Sequence, residues 1–220
     1  MAAFRTPLAL ALALAACTAH AQQDISKVNG EISAEAGQAY GELDTVNGGI
    51  RIGEGATTGN ASTVNGGIRV DARARTGSLE TVNGGVRLEG DVQVAGSVET
   101  VNGQIFVDRG GRIGKDVETV NGAIGLVGTH VGGSIETVQG DVTVGADSIV
   151  KGGLSVRKAT GFFNTGRKRT PRIIIGPNAV VEGPLVFERE VELYVHATAR
   201  TGAVSGATAI AYEGSSAPPR

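Results

Sequence analysis

Few side chains in this chain have the type and spacing that catalysis requires. After residue 21 the sequence contains two histidines, His130 and His196, and no cysteine, so it has no His/Cys spacing typical of a metal site. The segment GEGATTG at 53–59 approaches a dinucleotide-binding loop but lacks the strand–helix pattern around it. The acids recur periodically, which pairs carboxylates without a catalytic need. We expect a non-enzymatic protein with no cofactor or metal; an enzyme acting on envelope glycans is the minor alternative.

The triplet Val-Asn-Gly is the repeated feature of the sequence. Its amide positions follow one another at intervals of 18 or 19 residues, and the seventh copy carries Gln instead of Asn. They are Asn29, Asn47, Asn65, Asn83, Asn102, Asn121 and Gln139. A side-chain amide donates and accepts hydrogen bonds at once, so stacked copies can bond to one another. We interpret the series as a structural ladder, with a row of ligand-binding amides as the alternative.

The same triplet predicts a corner of the chain. Asn tolerates the left-handed backbone conformation better than most residues, and Gly adopts it without steric cost. We therefore expect each Asn-Gly pair to form a tight left-handed corner.

Apolar residues between the triplets predict the fold class. Val86 and Leu88 flank Arg87 in the two-residue alternation of a strand, which predicts that Arg87 points outward. The spacing of three between Leu79 and Val82 breaks this alternation and predicts a bulge or corner. Short strands, frequent glycines and a rigid period indicate an all-β single-stranded β-helix (β-solenoid) with about 18–19 residues per coil. About ten coils would stack at the usual strand spacing of about 4.8 Å.

Other residue types also recur once per coil. The threonines suit a row of strands; they are Thr45, Thr63, Thr81, Thr100, Thr119 and Thr137. Glu80, Glu99, Glu118 and Glu136 predict an acidic column, which we interpret as a solvated face, with a divalent-cation site as the alternative. Arg51, Arg69 and Arg87 predict a short basic column that ends at Phe106.

The chain divides into three parts. Residues 1–21 have the Arg5, apolar run and small residues of an export signal, with cleavage after Ala21 as one expectation. The alternative is lipidation of Cys17, because Leu14-Ala15-Ala16-Cys17 is similar to a lipoprotein processing site, and this anchor would be the protein's one link to a membrane. Residues 22–213 form the solenoid, with residues 22–28 and about 197–213 covering its ends. Residues 214–220 form a tail that we expect to be disordered.

A basic insertion interrupts the solenoid at about residues 157–171. Residues 22–150 carry 17 acids against 9 bases, whereas residues 151–181 carry seven bases and no acid. The candidate contact residues for an anionic envelope component are Arg157, Lys158, Phe162, Phe163, Arg167, Lys168, Arg169 and Arg172. The alternative is a loop whose phenylalanines pack on the rod while its charges stay solvated. Nucleic acid is excluded as a partner by the export signal.

Two segments carry a resemblance to known families. The TVNGGIRV (63–70) and ETVNGGVRL (80–88) repeats resemble the exported, adhesin-type β-solenoids called DUF4097-like. PRIIIGPNAVVEGPLVFEREVELYVHATARTG (171–202) is similar to the polymer-forming segment of bactofilin-like proteins. Together the resemblance covers residues 24–210. It implies a right-handed single-stack β-helix without an active site, and end-to-end assembly for the bactofilin-like part.

These observations lead to one expected function and one alternative. We expect an exported structural or scaffold protein of the bacterial cell envelope that is capable of self-association. It would reside in the periplasm or outer envelope, or in the outer membrane if it is a lipoprotein. The alternative is an envelope-binding or adhesin-like module that contacts an anionic partner through residues 157–172.

Overall fold

The computed structural model describes residues 22–158 and 169–219, and within these ranges the regular structure consists of β-strands. Every strand pair is parallel, and each strand pairs with the equivalent strand of the preceding and following coil. The chain thus forms a β-solenoid with three sides, and the predicted fold class is confirmed. No helix in the described ranges is long and apolar enough to cross a membrane.

The three sides are three parallel sheets. Sheet 1 contains, in order, β1 (Gln23–Asn29), β3 (Tyr40–Asn47), β5 (Ala61–Asn65), β8 (Leu79–Asn83), β11 (Val98–Asn102), β14 (Val117–Asn121), β17 (Ile135–Thr137), β20 (Leu154–Val156), β23 (Leu185–Phe187) and β26 (Val204–Ser205). Sheet 2 contains β2 (Ile32–Ala34), β4 (Ile50–Ile52), β6 (Ile68–Val70), β9 (Val86–Leu88), β12 (Ile105–Val107), β15 (Ile124–Leu126), β18 (Val142–Val144), β21 (Arg172–Ile175), β24 (Glu192–His196) and β27 (Ala209–Tyr212). Sheet 3 contains β7 (Arg75–Thr76), β10 (Gln93–Val94), β13 (Arg112–Ile113), β16 (His130–Val131), β19 (Ile149–Val150), β22 (Val180–Val181) and β25 (Arg200–Thr201).

The core is a narrow column of aliphatic side chains inside the three sheets. In the coil that begins at β8, the inward residues are Leu79, Val86, Leu88, Val92 and Val94, each at most 2% exposed. Such a core needs β-branched and small residues because the three sides lie close together, which explains the low aromatic content of 4%. As expected, Arg87 lies between two buried neighbours and points outward.

The bulge predicted between Leu79 and Val82 is wrong. Strand β8 runs without interruption, and the inward residue after Leu79 is Thr81, which is 4% exposed. Val82 instead points to solvent and is 39% exposed. The apparent break in periodicity arose because a β-branched polar residue takes the core position while an apolar residue takes the outer one.

The left-handed corner lies elsewhere in the coil than predicted. The Asn-Gly pairs, apart from Gly30, do not use a positive φ; a left-handed residue instead occurs at eight successive corners between sheets 2 and 3. These residues are Gly37, Gly55, Arg73, Asp91, Gly110, Gly128, Asp147 and Asn178, with φ between 50° and 80°. Four of the eight carry a side chain, so this corner has no fixed residue type that a sequence repeat could display.

Both ends of the rod are strands of the same sheets. β1 pairs with β3, and β26 and β27 pair with β23 and β24, so the segments expected to cover the ends are themselves terminal coils. The insertion lies between β20 and β21, at the corner from sheet 1 to sheet 2 that Val-Asn-Gly occupies in earlier coils. Residues 214–219 contain no strand.

Candidate functional site

The repeated asparagines form a continuous column of hydrogen bonds along sheet 1. Each Nδ2 donates to the Oδ1 of the asparagine one coil earlier, over five consecutive steps. The distances are 3.0 Å from Asn47 to Asn29, 2.9 Å from Asn65 to Asn47, 3.0 Å from Asn83 to Asn65, 3.0 Å from Asn102 to Asn83 and 3.0 Å from Asn121 to Asn102. The inner members of the column therefore use both functions of the amide within the protein.

Gln139 occupies the next repeat position but does not extend this column among the described residues. Strand β17 ends at Thr137, two residues earlier, and the backbone N–H of Gln139 donates to the Val120 carbonyl at 3.0 Å. The Thr137 hydroxyl accepts a hydrogen bond from the Gly140 nitrogen at 3.0 Å instead. The replacement of Asn by Gln thus coincides with a different hydrogen-bond pattern at this corner.

The glycine that follows the repeated amide is required by the stacking of coils from Gly48 onward. A Cβ on Gly84 would overlap the carbonyl oxygen of Gly66, and one on Gly66 would overlap that of Gly48. The same overlap occurs at Gly103, Gly122 and Gly140. The backbones approach so closely here that no side chain fits between them, which is a different requirement from the left-handed conformation that we predicted.

The threonine column explains how a polar side chain is tolerated inside the rod. Thr63 and Thr81 each donate their hydroxyl to a glycine carbonyl, Gly48 or Gly66, at 2.8 Å, and Thr100 donates to Gly84 at 2.9 Å. These are the same carbonyls that a Cβ on the glycine of the next coil would overlap. A buried hydroxyl with its hydrogen bond satisfied costs little stability.

The glutamate column forms the outer face of sheet 1. Glu80, Glu99, Glu118 and Glu136 pair in register on adjacent strands. Beside them the valines point outward: Val28 is 67% exposed, and Val46, Val64, Val82 and Val101 are 39–41% exposed. A shallow groove of about 400 Å³ runs between these two rows.

The carboxylates in this column influence one another. Burial, together with the charges of Glu136 and Glu99, raises the pKa of Glu118 above its ordinary value. At the end of the row Arg157 lies 2.5 Å from Glu136. Within residues 22–158 and 169–219, no group of three or more His, Cys, Asp or Glu side chains is arranged to hold a metal ion, the glutamate column included.

Each arginine of the column on sheet 2 is paired with an acid at the adjoining corner. Asp71 accepts from Arg51 at 2.8 Å and from Arg69 at 3.3 Å, while Glu89 accepts from Arg69 and Arg87 at 3.0 Å each. Burial opposes ionisation of Asp71, but the hydrogen bonds from Arg51 and Arg69 outweigh it and lower its pKa.

The sheet 2 column continues past the arginines to an aromatic residue. The Arg87 guanidinium lies 4.8 Å from the centre of the Phe106 ring, so the last arginine stacks on that ring. Each of the three arginines on the outer face of sheet 2 thus has a partner within the protein.

The outer column of sheet 3 contains cations without acids. Its members, in order, are Ala39, Thr57, Arg75, Gln93, Arg112, His130, Ile149, Val180 and Arg200. A groove of about 390 Å³ lies beside the row, lined by the small residues Ala95, Gly114 and Gly132. The sequence alone did not reveal this surface, because the residue types in the column vary from coil to coil and only the strand register aligns them.

The described members of the basic insertion are engaged with the protein's own acids and aromatic rings. Arg157 pairs with Glu136, and Arg169 lies 2.7 Å from Asp141. Arg172 stacks on Tyr194 at 4.7 Å and donates to the Pro218 carbonyl. These three cations are thus held on two different sheets.

The remaining candidate residues are less informative. The backbone N–H of Lys158 donates a hydrogen bond to a carboxylate oxygen of Glu188 at 3.1 Å. The predicted contact residues Phe162, Phe163, Arg167 and Lys168 lie outside the described ranges, as do Cys17 and the whole export signal.

The two histidines occupy different environments. His130 lies in the sheet 3 column, whereas the His196 ring lies 2.9 Å from the Thr198 hydroxyl and packs edge-on against Tyr212 at 5.0 Å. They belong to separate sheets, β16 in sheet 3 and β24 in sheet 2.

Comparison with known proteins returns no relatives. No family model, no curated protein and no solved structure matches this chain. The strand pairing and the column geometry given above are therefore what identifies the chain as a β-solenoid.

Proposed function

We propose that this protein is a non-enzymatic, exported structural protein of the bacterial cell envelope that is capable of self-assembly. The observation that carries the proposal is the periodic surface: equivalent side chains recur on each face at the spacing of adjacent strands, as in the Asn29-to-Asn121 column. A surface that repeats along the rod presents the same contact many times. Such a surface suits a repeating partner better than a single reacting molecule.

The resemblance of two segments supports the same reading. The repeats at 63–70 and 80–88 resemble DUF4097-like exported proteins, and residues 171–202 resemble the bactofilin-like polymer-forming segment. The latter stretch covers β21 to β25, near the C-terminal end of the rod. Export itself is inferred from residues 1–21.

Two measurements test this proposal. Mass spectrometry of the processed protein should find an N-terminus at Gln22 or at an acylated Cys17, and the protein should fractionate with the envelope. A Cys17→Ala variant would keep its location in the first case and lose envelope association in the second. Sedimentation of the processed protein should show concentration-dependent assembly; a cytoplasmic, strictly monomeric protein at high concentration would refute the proposal.

The envelope-binding alternative receives less support from the geometry. Arg157 and Arg169 are already paired with Glu136 and Asp141, so a partner would have to compete with these contacts. If the alternative holds, reversing the charges of Arg167, Lys168 and Arg169 together should abolish envelope association. An unchanged fractionation would rule it out.

A further inference from the structure

The three faces of the rod differ in how their charges are balanced. On sheet 2 the three arginines share two acids, Asp71 and Glu89, so each of these cations already has an acidic partner. On sheet 1, Glu80, Glu99 and Glu118 form no ion pair within the described ranges. On sheet 3, Arg75, Arg112 and His130 likewise lack an acidic partner among the described residues. One face is therefore anionic and another cationic, although the chain is nearly neutral at a net charge of −2.

The two charged faces also match in shape. On sheet 1 the valine row stands two residues after the glutamate row and forms a ridge of exposed methyl groups, Val82 and Val101 among them. On sheet 3, small residues such as Ala95 and Gly114 stand two residues after the cation row and line the groove of about 390 Å³. The valine ridge beside the glutamates on sheet 1 therefore matches the groove of small residues beside the cations on sheet 3.

We propose that sheet 1 of one molecule docks against sheet 3 of a second copy of this chain. Glutamates then face the arginines and histidine, and the valine ridge enters the small-residue groove. Both rows have the spacing of adjacent parallel strands, about 4.8 Å, so contacts that match in one coil also match in the next. Pairing of like faces is opposed, because two glutamate rows or two cation rows would repel each other.

The order of the rows fixes the relative direction of the two rods. Where two rods that point the same way meet side by side, their strands run in opposite directions across the contact. The valine ridge would then lie on the wrong side of the cation row. Turning one rod end over end makes the facing strands run the same way, so that charges and ridge match together. The contact is therefore antiparallel and heterologous, and its repetition gives a lateral array of alternating polarity.

The size of the contact predicts a weak association for each pair. Sheet 3 has seven strands, so its face is roughly 29 Å long at a spacing of about 4.8 Å. With a width of roughly 12 Å it buries about 350 Å² per partner, less than half of the ~800 Å² in a stable complex. Assembly should therefore depend strongly on concentration and on salt. This inference depends on the proposed capacity for self-assembly and names the surfaces that carry it.

The test uses the processed protein and two charge-reversed variants. Sedimentation equilibrium at low and high salt should show association that weakens at least tenfold as salt increases. Glu99→Lys/Glu118→Lys and Arg75→Glu/Arg112→Glu should each lose association at least tenfold. An equimolar mixture of the two variants should recover it to within about threefold of the unmodified protein, because each variant then presents the complement of the other's faces.

A matched control separates face recognition from net charge. Glu190→Lys/Glu213→Lys makes the same change in net charge as Glu99→Lys/Glu118→Lys, at exposed positions outside both columns, and should associate like the unmodified protein. Circular dichroism and melting should show that all variants fold. In electron micrographs, a gold label on the C-terminus should appear at both edges of a lateral array.

The outcomes distinguish this inference from the proposed function. Association that persists in both charge-reversed variants, or a mixture that does not recover, overturns the sheet 1–sheet 3 contact while leaving self-assembly intact. A label on one edge alone overturns the antiparallel arrangement. A strictly monomeric unmodified protein at low salt refutes self-assembly and this contact together.

Discussion

Asparagine and glycine in each repeat have separate tasks that depend on the coil below. The amide bonds to the amide one coil earlier, and the glycine lets the two backbones approach without a side chain between them. The Thr81 hydroxyl donates to the carbonyl of Gly66, the same carbonyl that lies against Gly84. The asparagine, glycine and threonine of one repeat therefore depend on one another, because all three contact the same corner of the preceding coil.

The glycine requirement predicts a severe effect of a single methyl group. In Gly84→Ala the new Cβ would overlap the Gly66 carbonyl, so the coils must separate locally. We expect the free energy of unfolding to fall by about 3 kcal/mol or more, measured by chemical denaturation. Gly90→Ala is the matched control, because its Cβ would lie 3.5 Å from the nearest atom, the Arg109 carbonyl oxygen. An equal loss in both variants would contradict this explanation.

The amide column predicts a dependence on position within the ladder. Asn83→Ala removes two hydrogen bonds, one donated to Asn65 and one accepted from Asn102. We expect a loss of about 1–2 kcal/mol in the free energy of unfolding. Asn121→Ala removes one bond, to Asn102, and should cost about half as much. Equal costs would argue against a ladder of independent bonds.

At the level of elements, strand register turns residue types into surfaces. The parallel pairing of β8, β11, β14 and β17 brings four glutamates into one row and the valines into another. Eight successive corners between sheets 2 and 3 use a left-handed residue, and Arg73 and Asp91 occupy this position as well as glycine. Each feature lowers the stability of the fold. The glutamate row does so through repulsion between like charges, and the left-handed corner through backbone strain at residues with a side chain.

The strained corner predicts a stabilising substitution. Arg73 has φ 59°, a conformation that costs a residue with a side chain about 1–2 kcal/mol. Arg73→Gly should raise the free energy of unfolding by about 0.5–1 kcal/mol after the greater entropy of unfolded glycine is subtracted. Arg75→Gly, two residues later in strand β7, should lower it instead. Thermal melting of both variants tests this, and a loss of stability in Arg73→Gly would contradict it.

The glutamate row predicts a pH dependence of stability. Because the pKa of Glu118 is raised by burial and by Glu136 and Glu99, the folded state holds its proton at pH values where the unfolded state has lost it. Stability attributable to this group therefore rises as pH falls through the folded pKa. Glu118→Gln should melt about 1–2 °C higher at pH 7, and the difference should vanish near pH 4.

A control variant checks that this effect belongs to the row. Glu190→Gln removes one carboxylate charge outside the column and is the matched control for Glu118→Gln. A Glu118→Gln variant with the same advantage at pH 4 and pH 7 would show that charge is not the cause.

At the scale of the whole molecule, the rod is held together mainly by contacts between neighbouring coils. Backbone hydrogen bonds such as Leu79 N–H to Ser97 O and Val98 N–H to Asp116 O run from one coil to the next at 2.9 Å. Central coils have two neighbours, whereas the terminal strands β1 and β27 have one. Stability should therefore vary along the rod.

Hydrogen exchange measured by mass spectrometry tests this gradient. Amides of β8 and β11 should exchange at least about tenfold more slowly than those of β1 and β27, because the end coils open without disturbing two interfaces. Uniform protection along the rod would indicate all-or-none unfolding instead. The assembly proposed above adds lateral contacts and should leave the order of protection unchanged in dilute solution.

The sequence by itself determined the parts of this structure that repeat by residue type. The interval of 18 or 19 residues specifies coil length, and the recurrence of Asn, Thr and Glu places them in columns once coils stack in register. The sequence did not reveal that Thr81 points inward and Val82 outward, because hydropathy alone favours the reverse. It also missed the left-handed corner and the cation row of sheet 3, where different residues share one backbone position. Those features depend on backbone geometry and three-dimensional alignment, which only the tertiary structure decides.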